Sequence, residues 1–169
     1  MLITILGFMG SGKSTLGKLI ANRLDFNFID IDDYIEENEK MRIPKIFNKK
    51  GEQHFRFLET QYLNEILSGQ NTVVSLGGGT PCFNNNIKKI TAQSRSLFID
   101  LPFEQLISRL ANAKRERPLI KDMTKIELGS FITEKLKERR PFYEQAEYTV
   151  NASKSSLEEV LQWVNKEKP

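Results

Sequence analysis

Residues 7–15, with the sequence GFMGSGKST, have the types and spacing of a loop that binds nucleotide phosphates. Its glycines let consecutive backbone N–H groups turn inward around phosphate oxygens, because glycine adopts positive φ without a steric penalty. Lys13 would then reach the β- and γ-phosphates, while the hydroxyl of Ser14 would bind Mg²⁺. The alternative is a plain turn between a strand and a helix, but the Lys–Ser pair favours phosphate chemistry. We expect Lys13 to lie in a solvated loop.

Two aspartates, Asp30 and Asp32, follow an apolar run that is typical of a strand. Ligands of open α/β folds bind at the carboxyl ends of the strands, so we expect both carboxylates there, on the same side of an extended backbone. One could hold the waters of Mg²⁺, and the other could accept a proton or a hydrogen bond from a substrate hydroxyl. Alternatively, Asp32 caps the next helix, although Asp33 would serve equally well.

Arg56 and Glu59 stand three positions apart within residues 51–67, beside an apolar stripe at helical spacing. The alternative for this pair is a surface ion pair of little energetic worth. The stripe contains Phe55, Leu58, Tyr62, Leu63, Ile66 and Leu67.

Two more stretches suit a small, anionic, hydroxylated substrate. In residues 75–81, SLGGGTP, three glycines follow an apolar strand, so backbone N–H groups can approach a ligand without interference from Cβ atoms, although a tight turn is the alternative. In residues 137–146, KERRPFYEQA, the guanidinium groups could bind a carboxylate through paired hydrogen bonds.

Residues 114–123, KRERPLIKDM, are charged, contain a proline and lack periodicity. They separate a predicted helix at 103–113 from another that begins near Lys125. An ordinary solvated connection is one interpretation. Because Lys114, Arg115 and Arg117 crowd together in a protein that binds phosphates, we favour a mobile lid that closes over them.

Strand-like apolar runs alternate along the chain with helical patterns. The runs are residues 2–6, 26–30, 71–79, 95–101 and 146–152, and a final helix is predicted at 155–166. This alternation is typical of a parallel sheet with helices on both faces, which is a three-layer α/β fold.

The composition narrows the class of protein. A chain of 169 residues without a repeat or a linker predicts a single domain, and a monomer is our expectation. A net charge of +3 suits acidic small molecules and is too mild to indicate nucleic acid. Cys82 is the only cysteine and His54 the only histidine, so neither a disulfide nor a zinc site is expected, and His54 is expected at the solvated surface. Without a long apolar run or a leader pattern, we expect a cytoplasmic protein with no membrane partner.

Taken together and in this order, these motifs resemble the shikimate kinase family. The resemblance covers essentially the whole chain and includes GFMGSGKST, DID at residues 30–32, GEQHFR, SLGGG, RPLI and ERRPFY. It implies a P-loop kinase fold with a five-stranded parallel sheet. It also implies a P-loop at 7–15, a substrate-binding helical region at about 31–60 and a lid at about 112–124.

The resemblance further implies a role for individual residues. Asp32 would lie against the phosphorylated hydroxyl, Arg56 and Arg139 would bind the shikimate carboxylate, and Glu59 would support Arg56. The remaining implied contacts are as follows: Gly78 and Gly79 with shikimate; Gly10, Ser11, Gly12, Lys13, Ser14 and Thr15 with ATP phosphates; Arg109 with adenine; Arg117 with the transferring phosphoryl group; Ser14 and Asp30 with Mg²⁺.

The implied reaction is transfer of the γ-phosphate of ATP to the 3-hydroxyl of shikimate, with one Mg²⁺, in the pathway to chorismate and the aromatic amino acids. The catalytic residues would be Lys13, Asp32 and Arg117. The alternative is another P-loop small-molecule kinase, such as a gluconate or nucleotide kinase. A nucleotide-dependent switch protein would need a guanine-reading N-K-x-D loop, and the sequence contains none.

Overall fold

The computed structural model describes residues 1–112, 120, 123–152 and 155–166. Its strands are β1 (Leu2–Leu6), β2 (Asn27–Asp30), β3 (Thr72–Ser75), β4 (Arg95–Asp100) and β5 (Tyr148–Asn151). Its helices are α1 (Lys13–Leu24), α2 (Ile31–Glu39), α3 (Ile43–Leu67), α4 (Asn86–Gln93), α5 (Phe103–Ala111), α6 (Lys125–Tyr143) and α7 (Leu157–Asn165), with a 3₁₀ turn at Thr80–Cys82.

The five strands form one parallel sheet in the order β2-β3-β1-β4-β5. The predicted α/β fold with a five-stranded parallel sheet is therefore confirmed. β1 lies at the centre and pairs with both β3 and β4, which explains why all five of its residues are buried. Because the carboxyl ends of parallel strands meet at one edge, the loops after β1, β2 and β3 converge there.

Alternation along β1 divides the core between the two faces of the sheet. Leu2 and Leu6 pack in the cluster that contains buried residues of α2, α3 and α4. Ile3 and Ile5 pack in a second cluster, with buried residues of α1 and α7. Helices thus cover both faces, as the alternation of elements predicts.

Helix α3 buries the whole predicted stripe, from Phe55 to Leu67. It contains one kink, at Gly51, where φ is 80° and ψ is 170°. Arg56 and Glu59 follow the kink and lie near the edge of the sheet where ligands are expected to bind.

Helix α7 is fastened to the sheet by Arg95, whose side chain is 7% exposed. Its guanidinium donates to the backbone carbonyls of Trp163, Val164 and Lys166 and forms an ion pair of 2.7 Å with Glu147. Since the last carbonyls of a helix lack partners within it, Arg95 satisfies them and neutralises Glu147 at once.

The expected extended backbone through Asp30 and Asp32 is wrong. β2 ends at Asp30, and this residue is the N-cap of α2, where its carboxylate accepts a hydrogen bond of 3.2 Å from the backbone N–H of Asp32. Neither Asp32 nor Asp33 caps the helix, because both lie in its first turn. An aspartate is a favourable N-cap, and Asp30 takes that position, two residues before Asp32 and three before Asp33.

The expectation for His54 is also wrong. The imidazole is half-buried beside Phe57, with ring centroids 6.3 Å apart. Its Nε2 atom is enclosed and has no hydrogen-bond partner among the described residues. The buried stripe of α3 begins at the next residue, Phe55, which accounts for the partial burial.

Within the part of the chain that the structure describes, none of the helices has the length and apolar character needed to cross a membrane.

Candidate active site

The loop at residues 7–15 joins the central strand β1 to α1, and Gly12 caps the helix with φ of 101°. Lys13 is the first residue of α1 and is 9% exposed, so the prediction that it lies in a solvated loop is wrong. Its Nζ atom turns back across the loop and donates to the carbonyls of Gly7 and Phe8, both at 2.9 Å. The ammonium group therefore lies within the loop, where a nucleotide phosphate would meet it.

Ser14 and Asp30 bring two oxygen groups together at the start of α1. The Ser14 hydroxyl donates to the Asp30 carboxylate at 2.7 Å and lies 3.3 Å from the Ser75 hydroxyl. Oxygen donors suit a hard cation such as Mg²⁺, which keeps several water and phosphate ligands of its own. The described residues contain no group of three or more His, Cys, Asp or Glu side chains that could enclose a metal. This donor set thus fits a metal that is carried mainly by a nucleotide.

Asp32 and Glu59 approach each other at the glycine triplet after β3. A Cβ atom on Gly77 would lie 3.0 Å from an oxygen of Asp32 and 3.0 Å from an oxygen of Glu59. Gly77 was missing from the predicted site residues, although SLGGG could have suggested it. The structure therefore brings the predicted acid of α2 and the predicted supporting acid of α3 to one point.

Arg56 is held between two glutamates. Nη1 donates to Glu59 at 2.5 Å, while Nε and Nη2 donate to Glu52 at 3.2 and 2.9 Å. Glu59 is 2% exposed, so the pair with Arg56 is not the weak surface ion pair that was the alternative. Burial acts to lower the pKa of Arg56, but Glu59 and Glu52 outweigh it, and the pKa is raised above its usual value.

These bonds use three of the five N–H groups of the Arg56 guanidinium. Among the described residues, one N–H on each terminal nitrogen has no further hydrogen-bond acceptor. N–H groups of a guanidinium donate strong hydrogen bonds to a carboxylate because both partners are charged. Three N–H groups thus hold the arginine in place, and the other two can bind an anion.

The glycine triplet separates Arg56 from Arg139. A Cβ atom on Gly79 would lie 2.7 Å from Nη1 of Arg56, and one on Gly78 would lie 3.3 Å from Nη1 of Arg139. Any side chain at Gly79 would collide with the guanidinium. Glycine here lets two cationic groups approach the same short piece of backbone.

Tyr143 connects α6 to this turn. Its buried hydroxyl donates to the carbonyl of Gly78 at 2.5 Å, and its ring packs on Phe98 with centroids 5.3 Å apart. Burial raises the pKa of Tyr143, so the phenol stays a donor. Cys82 lies close to the same groups: burial raises the pKa of its thiol to about 11, although Arg139 and Arg56 act to lower it.

Arg109, which is exposed, lies over the outer side of the P-loop. Its Nη1 atom donates to the carbonyls of Gly10 and Ser11 at 3.4 and 3.3 Å. It borders a groove of about 390 Å³ that runs from α1 to the start of α7. Besides Arg109, the groove is lined by Ser11, Gly12, Thr15, Leu16, Leu19, Ile99, Val150, Ala152, Ser155, Ser156, Leu157 and Val160. The part from α7 was not among the predicted site residues, because it comes from the far end of the chain.

Arg117 lies outside the described residues, as does most of the predicted lid. Ile120 and Met123 are described, and both pack against the apolar cluster of α5 and α6.

In this fold, a loop suited to nucleotide phosphates lies beside a glycine turn that two guanidinium groups approach. This arrangement is typical of a P-loop kinase that acts on a small anionic molecule. A deoxyadenosine kinase from M. mycoides has the same fold, with a TM-score of 0.63 at 16% identity. The family model "Shikimate kinase" matches residues 9–167 of this chain. The chain therefore belongs to the shikimate kinase family.

Individual relatives agree with the family model. A shikimate kinase of Bacteroides thetaiotaomicron is 41% identical over 150 residues, covering 89% of this chain and 86% of that protein. One of Persephonella marina is 38% identical over 159 residues, covering 94% and 93%.

Two solved structures are also similar. The crystal structure of a shikimate kinase from Bacteroides thetaiotaomicron gives a TM-score of 0.90 at 38% identity, covering 97% of this chain and 96% of that chain. A shikimate kinase from Acinetobacter baumannii in complex with shikimate gives 0.85 at 33%, covering 99% and 95%.

The chain is thus an ATP-dependent kinase that transfers the γ-phosphate of ATP to the 3-hydroxyl of shikimate, a step of the shikimate pathway. The alternatives of a gluconate or nucleotide kinase are set aside by the family match.

Proposed function

We propose that shikimate binds between Arg56, Arg139 and Asp32, with Gly78 and Gly79 beneath it, and that it receives the phosphoryl group from ATP held by the P-loop. The observation that carries this proposal is the position of the glycine turn. A Cβ atom placed on Gly79 or Gly78 would lie within 3.3 Å of the guanidinium group of Arg56 or Arg139, respectively. Two cations on one small turn, beside an acid, suit a substrate with a carboxylate and hydroxyls.

Arg56 and Arg139 bind the carboxylate, and this contact fixes the ring so that one hydroxyl faces the nucleotide. Asp32 orients that hydroxyl and accepts its proton late in the reaction. Glu59 keeps Arg56 in place, which is supported by their hydrogen bond of 2.5 Å.

The charge on the transferring group is neutralised by residues that reach the phosphates. Lys13 provides a cation inside the loop, and Arg117 closes over the phosphoryl group as part of a lid at about 112–124. Arg109 lies against adenine in the groove that ends at α7. The remaining contacts to the phosphates come from Gly10, Ser11, Gly12, Ser14 and Thr15.

We propose Mg²⁺ as the metal, held by Ser14 and Asp30, whose oxygens are 2.7 Å apart. Ser14 and Asp30 would hold the ion beside the nucleotide, where it would reduce the negative charge of the phosphates. Asp30 also caps α2, and this contact keeps its carboxylate oriented towards Ser14.

We further propose that residues 1–169 act as one kinase domain and as a monomer in the cytoplasm, which supplies ATP. Both substrates are assigned to residues of a single chain, which supports a monomer. Light scattering after gel filtration tests it, with 19.5 kDa as the mass expected for one chain.

The release of ADP, measured with shikimate, gluconate and nucleoside monophosphates as acceptors, tests the assignment of the site. Of the three kinds of acceptor, we expect only shikimate to give turnover. We also expect turnover to be lost when a chelator removes Mg²⁺ and to return when Mg²⁺ is added. Turnover with shikimate no faster than ATP hydrolysis in water would contradict the proposal.

A further inference from the structure

Thr80 follows the glycine triplet and is completely buried. Its hydroxyl donates to Oε1 of Glu59 at 2.5 Å, and the other carboxylate oxygen, Oε2, accepts from Arg56. The carboxylate of Glu59 is therefore held at both ends, by residues from two different elements. A carboxylate with both oxygens bonded cannot rotate without losing a hydrogen bond in a buried place.

A second set of bonds holds Thr80 in place. Asn86 is completely buried, and its side-chain N–H₂ group donates to the carbonyl of Thr80 at 2.9 Å and to the hydroxyl of Thr60 at 3.1 Å. The Thr60 hydroxyl in turn donates to the carbonyl of Arg56 at 3.0 Å. Thr80 is thus tied to α3 through its backbone as well as through its hydroxyl.

We infer that Thr80 is a positioning residue: its hydroxyl orients Glu59, and Glu59 orients the Arg56 guanidinium against Gly79. This inference rests on the proposed function, in which Arg56 binds the substrate carboxylate. Arg56 has a second acidic partner, Glu52, but the Glu52 side chain is 59% exposed and holds the guanidinium weakly. Accurate placement therefore depends on the buried partner and on the hydroxyl that fixes it.

Thr80→Val removes the hydroxyl and keeps the shape of the side chain. We expect the KM for shikimate to rise about ten-fold, which corresponds to loss of about 1.4 kcal/mol of binding, with the KM for ATP within about two-fold of wild type. Thr80→Ser keeps the hydroxyl and should return the KM for shikimate to within about three-fold. If Thr80→Val does not fold, Thr80→Ala removes the same hydroxyl and has the same expected result.

Thr4→Val is the matched control. Thr4 is also completely buried, and its hydroxyl lies 2.7 Å from that of Ser94, on the central strand and away from the glycine turn. Both valine variants lose a buried hydroxyl hydrogen bond, so thermal denaturation should show similar losses of stability. Only Thr80→Val should change the KM for shikimate.

Arg56→Ala, measured in the same assay, separates the two proposals. If Arg56→Ala leaves the KM for shikimate unchanged, the proposed role of Arg56 fails. If Arg56→Ala raises it but Thr80→Val does not, the positioning role of Thr80 alone is overturned. A rise in both KM values, an equal rise in Thr4→Val, or no recovery in Thr80→Ser would also overturn that role.

Discussion

Arg140 binds Asp100 through two hydrogen bonds, of 2.6 and 3.3 Å, which join the end of α6 to the end of β4. The preceding residue, Arg139, points elsewhere: its Cζ atom lies 5.8 Å from the centroid of the Phe8 ring, close to Gly78. Neighbours in a helix differ in direction by about 100°, so two adjacent arginines have separate tasks.

Arg139→Ala should raise the KM for shikimate by at least about thirty-fold and leave the KM for ATP nearly unchanged, because a desolvated guanidinium that binds a carboxylate is costly to remove. Arg139→Lys should restore only part of the affinity, since an ammonium group lacks the paired N–H groups. Steady-state kinetics with each substrate varied in turn measures both effects.

Arg140→Ala is the control for that pair of variants. Its side chain is 44% exposed and its partner Asp100 is 31% exposed, so the kinetic constants should stay within about two- to three-fold of wild type. An equal or larger effect at Arg140 would mean that the carboxylate binds elsewhere.

Lys13→Ala should lower kcat by about 10² to 10³, because the P-loop loses its cation at the phosphates. The two carbonyls that accept from Lys13 belong to the loop itself, so far-UV circular dichroism should show an unchanged fold. Lys18→Ala, an exposed lysine of the same helix, should keep its activity. Retention of more than half of the activity by Lys13→Ala would contradict the assignment of the P-loop.

Asp32→Asn keeps the shape of the side chain and removes its charge, so kcat should fall much more than ATP binding changes. Asp33, the exposed neighbour in α2, provides the control, and Asp33→Asn should resemble wild type. The two variants are compared by kcat and by the binding of an ATP analogue. If Asp33→Asn lowers kcat and Asp32→Asn does not, the acid that contacts the substrate hydroxyl is Asp33.

Arg95→Met should destabilise the fold by about 3 kcal/mol, because it leaves Glu147 and the final carbonyls of α7 without their buried partner. Arg23→Met also removes an ion pair to α7, in which Arg23 lies 3.7 Å from Glu158. Both of these side chains are more than half exposed. That control should lose less than about 1 kcal/mol. Unfolding in urea gives both values, and similar losses would show that Arg95 does not fasten α7.

The thiol of Cys82 should react slowly. Burial raises its pKa from 9.0 to about 11, so at pH 8 a smaller fraction is the reactive thiolate in the folded chain than in the unfolded one. Two pKa units correspond to about a hundred-fold lower rate of alkylation by iodoacetamide. The rate should reach half of its plateau near pH 9 in urea and only near pH 11 in the folded protein. Equal rates at pH 8 would contradict the raised pKa.

The sequence allows prediction of those parts of the site that are set by local spacing. The parallel sheet and the buried stripe of α3 follow from contiguous patterns and are confirmed, and the glycine-rich loop does lie between β1 and α1. The end of β2 was not predicted correctly. Asp30 is the N-cap of α2 and accepts a backbone hydrogen bond there, so the helix begins earlier than the apolar pattern implies. Several neighbouring aspartates could serve as the N-cap, and the tertiary contact with Ser14 favours Asp30.

Other features depend on residues that are far apart in the chain. Lys13 is buried because its side chain turns back onto the loop, and Glu59 is buried because Thr80, from another element, supplies a hydroxyl. The groove beside Arg109 is completed by α7, more than forty residues later. Such partners become visible only when the chain is folded, since no spacing rule links them.

The kink of α3 has a chemical consequence at Gly51. No atom lies within 4 Å of the position that a Cβ atom would occupy there, yet φ of 80° with ψ of 170° is a region that L-residues avoid. The backbone conformation, rather than a lack of space, therefore restricts which residue can replace Gly51. L-alanine would cost about 1 to 3 kcal/mol of backbone strain. D-alanine, introduced by chemical ligation, has the mirror-image preference and would keep the bend while restricting the unfolded chain.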